Sequence, residues 1–90
     1  VNGQVVPGGI EAQIDMAFEN LQRILEAAGG KITDVVRLNY FLIDIHDLAK
    51  IGIAYRKYFG RHFPASTAVQ IGALAMPEMR VEVEATAVIE

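Results

Sequence analysis

The sequence predicts an α+β domain, a two-layer sandwich in which two helices cover one face of a mixed sheet. Three observations carry that prediction. Apolar residues recur at three- and four-residue steps from Ile10 to Ala28. A run rich in β-branched and aromatic residues follows at 35–43. Two shorter alternating runs, Phe63 to Ile71 and Arg80 to Val88, close the chain. A 3.6-residue period marks a helix with one buried stripe, and a period of two marks a strand with one buried face.

The first helix is expected over Ile10–Ala28, with Ile10, Ile14, Ala17, Leu21, Ile24, Leu25 and Ala28 as its buried stripe. Glu11, Asp15, Glu19, Gln22 and Glu26 lie largely off that stripe. Gly29-Gly30 ends it, because glycine takes the left-handed position after a helix at little cost. Thr33-Asp34 leads into the central strand. There Val36, Leu38, Tyr40 and Leu42 form an apolar face, and Val35, Arg37, Asn39 and Phe41 a mixed one. One greasy and one mixed face suit a sheet covered on one side only. Asp44 or Asp47 is placed to cap a second helix over Leu48–Phe59, with Leu48, Ile51, Tyr55 and Tyr58/Phe59 inward. Gly60 stops it. Ala75-Met76-Pro77-Glu78 turns the chain between the last two strands.

Ninety residues hold at most one domain, spanning 1–90. A chain of this size buries only about 60–65% of its unfolded surface. Yet 52% of its residues are hydrophobic, and large apolar surplus on small proteins usually marks a subunit interface. No run of about 18 apolar residues is present, which argues against a membrane-spanning helix. The net charge of −3 argues against general nucleic-acid binding, which depends on lysine and arginine neutralising phosphates. The basic cluster Arg56-Lys57 with Arg61 reads as a solvated helix face. With no cysteine, disulfides, thiolate metal sites and cysteine nucleophiles are excluded. His46 and His62 have no second histidine at ligand spacing, so no metal is expected. Gly8-Gly9 lacks the Gly-x-x-x-x-Gly-Lys pattern of a phosphate loop, and Ser66 lacks a Gly-x-Ser-x-Gly elbow. The start shows no signal peptide, which makes the cytoplasm the expected compartment. Asn2-Gly3 between apolar residues is a hairpin-turn signal with one arm short, so the chain is expected to be a fragment of a longer protein.

Several local pieces stand in a distinctive order. Gly9-Ile10-Glu11-Ala12-Gln13 opens the first helix, Glu19-Asn20-Leu21 lies within it, and Leu25-Glu26-Ala27-Ala28-Gly29 closes it. Asp34-Val35-Val36 precedes the central strand, and Tyr55 and Phe59 mark the second helix. Pro64-Ala65 opens one late strand, and Glu82 and Glu84 pair on one face of the other. Over essentially the whole chain this order resembles the RidA (YjgF-type) reactive-intermediate deaminase family. The resemblance implies the chorismate-mutase-like (YjgF-like) two-layer fold, with the family's first strands ahead of Val1. It also implies a homotrimer with clefts between subunits. The implied substrate is a small enamine or imine acid such as 2-aminoacrylate, hydrolysed without cofactor. Such hydrolysis needs little beyond orientation, a placed water and proton transfer.

Carried over by position, the resemblance makes Glu82 the catalytic residue that orients the attacking water. Ser66 stands where the family's carboxylate-binding arginine is expected, and a bidentate guanidinium is the natural carboxylate clamp. Ala68 stands where a cysteine is often found. Gly52 stands where an asparagine is common. These three are the expected substrate-binding positions. A basic residue from elsewhere, Arg37 or Arg80, could offset the missing charge. The alternative to a deaminase is a metabolite-binding or regulatory trimer of the same fold. A purely structural assembly would account only for the apolar surplus.

Overall fold

The structure is a computed structural model and describes residues 8–90. The turn expected at Asn2-Gly3 lies outside the described residues. Helix α1 spans Gly9–Ala27. Strand β1 spans Val35–Leu42, helix α2 Gly52–Phe59, strand β2 Ala65–Gln70 and strand β3 Val81–Ala87. The three strands form one sheet in the order β2-β1-β3. β1 runs parallel to β2 and antiparallel to β3. The expected α+β class with a mixed sheet and two helices is what the chain adopts.

Helix α1 ends where the sequence places its breaker. Gly29 takes φ 86°, and the Gly30 N–H turns back to the Leu25 carbonyl at 2.7 Å. Its inner stripe is Ile10, Ile14, Phe18 and Leu25, with Leu21 packed at the margin. Three positions differ from expectation. Phe18, absent from the expected stripe, is the largest fully buried side chain, whereas Ile24 is 67% exposed and Ala28 is exposed as well. Phe18 stands one helical turn beyond Ile14, so the stripe follows the steps 10, 14, 18 rather than drifting to Ala17.

Phe18 organises the sandwich. Its ring meets Tyr40, Tyr55 and Phe59 edge-on and Tyr58 at a tilt, with centroids 5.1–6.4 Å apart. Beneath it lie Leu38, Tyr40 and Leu42 of β1 and Val81 of β3. Each such aromatic contact adds about 0.5–1.5 kcal/mol beyond area burial.

β1 carries a second difference. Val35 pairs with Ala87 and Arg37 with Thr86, so Val36 is an extra residue in a bulge. The bulge resets the alternation. Val35 is therefore fully buried and Val36 is 48% exposed, the reverse of the expected faces. From Leu38 onward the faces are as expected.

The second helix is also divided. A 3-10 stretch at Ile45–Lys50 precedes α2, which begins only at Gly52. Asp44 caps the 3-10 stretch by accepting the His46 N–H at 2.9 Å. That hydrogen bond, with a further one from the His46 ring, holds the Asp44 carboxyl below its ordinary range. Asp47 is no cap. It is 2% exposed and accepts both Nε and Nη2 of Arg80, at 2.9 and 2.7 Å.

Candidate functional site

A pocket of about 540 Å³ opens between α2, the 3-10 stretch and the start of β2. Its size lies within the usual range of small-molecule sites, about 300–1,000 Å³. Leu48, Ile51, Tyr55, Phe63 and Pro64 make its apolar wall. Tyr40, Ser66, Arg56 and Arg61 supply its polar groups, and Gly52 and Gly60 leave room at its edge.

Local structure explains why the wall is there. Tyr55 stacks on Phe59 at 4.8 Å and on Phe63 at 5.9 Å, so one row of rings runs from the core to the pocket. The Tyr55 hydroxyl donates to the His62 carbonyl at 2.7 Å, which ties the loop after α2 to the helix. The His62 ring in turn reaches the Val35 carbonyl at 2.7 Å. His62 is thus a strut between layers, while His46 is exposed beside Asp44. Among the described residues no cluster of three or more His, Cys, Asp or Glu side chains could hold a metal ion. Burial raises the Tyr55 phenol above its ordinary value and raises Tyr40 much further.

Two of the positions carried over from the sequence, Gly52 and Ser66, line this pocket together. Ser66 is exposed, and its hydroxyl donates to the Pro64 carbonyl at 3.0 Å. Ala68 does not line it. It lies one residue pair further along β2, opposite Tyr40, half-buried against the core.

Glu82 is elsewhere. It pairs with Phe41, next to the Glu84–Asn39 pair in which Asn39 donates to Glu84 at 3.0 Å. Tyr40 pairs with Val83 and Ala68, and Leu38 with Ala85 and Ser66. Side chains alternate across a strand. Ser66 and Ala68 therefore share the helix-covered face with Tyr40, while Glu82 and Glu84 project from the open face. One subunit does not bring Glu82 and Ser66 together.

The expected compensating arginines are not at the pocket. Arg80 is held by Asp47. Arg37 pairs with Ala65 and Thr86 on the open face. The pocket arginines are Arg56 and Arg61, which the sequence presents as part of a solvated face. The signal was that they flank Tyr58-Phe59-Gly60, a segment whose rings turn inward while its charges reach the rim.

Residues 1–89 match the endoribonuclease L-PSP family. The chain belongs to this family. Among curated relatives, the 2-iminobutanoate/2-iminopropanoate deaminase of Bos taurus is 42% identical over 97% of this chain and 63% of that protein. The protein of the same name from Escherichia coli K12 is 35% identical over 92% of this chain and 66% of its own length. The chain thus spans less than two thirds of the length of the bovine relative. Among solved structures, RidA from an Antarctic Psychrobacter superposes with TM-score 0.86 at 37% identity, covering 93% of this chain and 68% of the other. A YjgF-family protein of Mycobacterium tuberculosis superposes with TM-score 0.87 at 31% identity, covering 93% and 71%. The family membership and the YjgF-type fold expected from the sequence are both met. No helix among the described residues is long and apolar enough to cross a membrane.

Proposed function

We propose that this L-PSP family protein hydrolyses a small enamine or imine acid of the 2-aminoacrylate type to the 2-oxo acid and ammonia. The observation that carries the reading is the open pocket in which Gly52 and Ser66 meet below the apolar wall of Phe63 and Tyr55. Relatives at 35–42% identity bearing an imine-deaminase name support it. Water adds to the imine carbon, the nitrogen takes a proton, and the carbinolamine loses ammonia. An orienting pocket, one placed water and proton transfer suffice.

The proposed assembly is a homotrimer acting in the cytoplasm on a small-molecule substrate, with no nucleic-acid or membrane partner. The geometry supports an assembly in one specific way. Glu82 lies on the opposite sheet face from Ser66, so in this reading Glu82 of one subunit orients the water in a cleft shared with its neighbour. The open face also carries apolar Val36 and Val69, 48% and 40% exposed, and closed cyclic symmetry is the usual way to cover such a surface. A monomeric mass by light scattering would remove the shared cleft from the proposal.

The test is deamination of enzymatically generated 2-aminoacrylate and 2-iminobutanoate by the full-length protein. Acceleration over the spontaneous rate that is lost in Glu82→Gln supports the deaminase reading. No acceleration across an imine panel overturns it. The result would then favour a metabolite-binding or regulatory trimer, which Ser66 at the arginine position already motivates.

A further inference from the structure

We infer that the group binding the substrate's carboxylate in this pocket is Arg56 on α2, with Arg61 beside it, rather than a residue of β2. The inference rests on the imine-acid reading of the same pocket and names the anchor which that reading lacks.

Among the five arginines, each has a distinct environment. Arg23 is paired with Glu19 on the surface of α1. Arg80 is bound by buried Asp47. Arg37 lies on the open face of the sheet. Arg56 and Arg61 both line the pocket, and neither is among the ion pairs of the described residues. Lys57, between them, is turned away to Asp15 at 3.0 Å. The pocket therefore has two guanidinium groups with their charge unspent and no carboxylate in its lining.

The position of Arg56 is built by Gly52. A Cβ added at Gly52 would stand 3.4 Å from Nη1 and 3.9 Å from Cζ and Nη2 of Arg56. The guanidinium is thus folded back over the first turn of α2, across the space that a longer side chain at position 52 would fill. A glycine there and an arginine one turn later act as a pair: the first makes the seat and the second occupies it.

A second observation marks the same pocket as a ligand site. Tyr40 is 5% exposed, and its hydroxyl has no hydrogen-bond partner among the described residues. Tyr40 lines the cavity beside Arg56 and Ser66. A phenol that lines a cavity offers a ligand one donor and one acceptor. An acid with a short apolar body fits this layout. Its carboxylate takes the Arg56 fork, its polar carbon faces Tyr40 and Ser66, and its body lies on Phe63. Guanidinium forks match carboxylates bidentately.

The test uses the full-length protein and 2-oxobutanoate, the product expected from 2-iminobutanoate, with its neutral primary amide as control. Binding is read by calorimetry. Arg56→Gln is expected to weaken 2-oxobutanoate binding about tenfold to a hundredfold, the scale of a lost charged hydrogen bond. Arg61→Gln should weaken it less, Arg56→Lys should restore part of the loss, and the amide should bind all forms alike. Gly52→Asn leaves Arg56 in the chain but takes its seat, so a comparable loss is expected. Arg23→Gln removes the same charge elsewhere and should leave binding unchanged. Unaltered affinity in Arg56→Gln, or no binding of 2-oxobutanoate by the natural protein, overturns the inference. Imine hydrolysis measured in parallel separates the two readings. Arg56-dependent binding without hydrolysis removes the deaminase and leaves the anchor. Hydrolysis with an indifferent Arg56 removes the anchor and leaves the deaminase.

Discussion

The core around Phe18 and the pocket around Phe63 are built from one continuous row of aromatic rings, yet they end in opposite ways. Phe18 is fully buried, whereas Phe63 is 76% exposed. The difference lies in what covers them. Phe18 projects from the 19-residue α1 onto rings of β1 and α2, while beside Phe63 the chain offers Gly52, Gly60, Pro64 and Ser66, which are too small to close the gap. The same stacking that stabilises the fold at one end leaves a site at the other. An exposed aromatic ring beside small residues and two arginines without ion pairs is the surface on which the proposed binding rests.

The sharpest way to break this comparison is at its sealed end. Phe18→Ala removes the ring that touches four others and should cost about 3–5 kcal/mol. In a domain this small that is enough to abolish cooperative unfolding by circular dichroism. A loss below about 1 kcal/mol would mean that the aromatic row is not the core. Next in size is Arg80→Met, which strands the Asp47 carboxylate with only Lys50 at 3.6 Å. A loss of roughly 2–3 kcal/mol is expected, below the usual cost of breaking a buried pair because Lys50 remains and Arg80 is partly exposed. Adding Asp47→Asn should recover much of it. If the double variant is no better, the pair is not what holds this corner.

At the open end the expected effects on stability are small. Phe63→Ala should cost less than about 1 kcal/mol, since it loses one stacking contact and little burial. In denaturant titration it should be nearly silent while 2-oxobutanoate binding weakens several-fold. A stability loss as large as that of Phe18→Ala would erase the distinction between the two regions. The smallest effect concerns Tyr40. Burial keeps its phenol protonated well above the ordinary value, so the folded form retains a proton that the unfolded chain gives up. Stability is therefore full below about pH 10, the ordinary tyrosine value, and falls as pH climbs beyond it. Tyr40→Phe should flatten that fall and leave stability at neutral pH within about 0.5 kcal/mol. An unchanged alkaline slope would assign the dependence to Tyr55, whose phenol is also raised.

The elements were legible in the sequence because each has a period. Ile10, Ile14 and Leu25 mark α1, and Leu38, Tyr40 and Leu42 mark the inner face of β1. What was not legible depends on partners distant in the chain. The exchange of Val35 for Val36 follows from a bulge set by Thr86 and Ala87. Asp47 resembles a cap locally and becomes an ion-pair partner only when Arg80 arrives 33 residues later. The pairing of Gly52 with Ser66 followed from family position, and both line the pocket. Glu82 was assigned with them, and strand parity sets it on the other face. Arg56 and Arg61 read as solvated and are exposed, but their place on a pocket rim was not legible, because a helix face and a rim have the same local pattern. Only the gap left by Gly52 distinguishes them.

The strand order has a consequence for how the chain folds. β2 and β3 are neighbours in sequence but do not pair; both must find β1. No local hairpin is available to start the described sheet. Its larger pairing joins residues as distant as Val35 and Ala87, and such long-range closure slows folding. During synthesis the edge of β1 that takes β3 would wait unpaired until β3 emerges. Such an unpaired edge is a ready template for a stray strand. The cost of this topology should therefore show first as concentration-dependent aggregation during refolding.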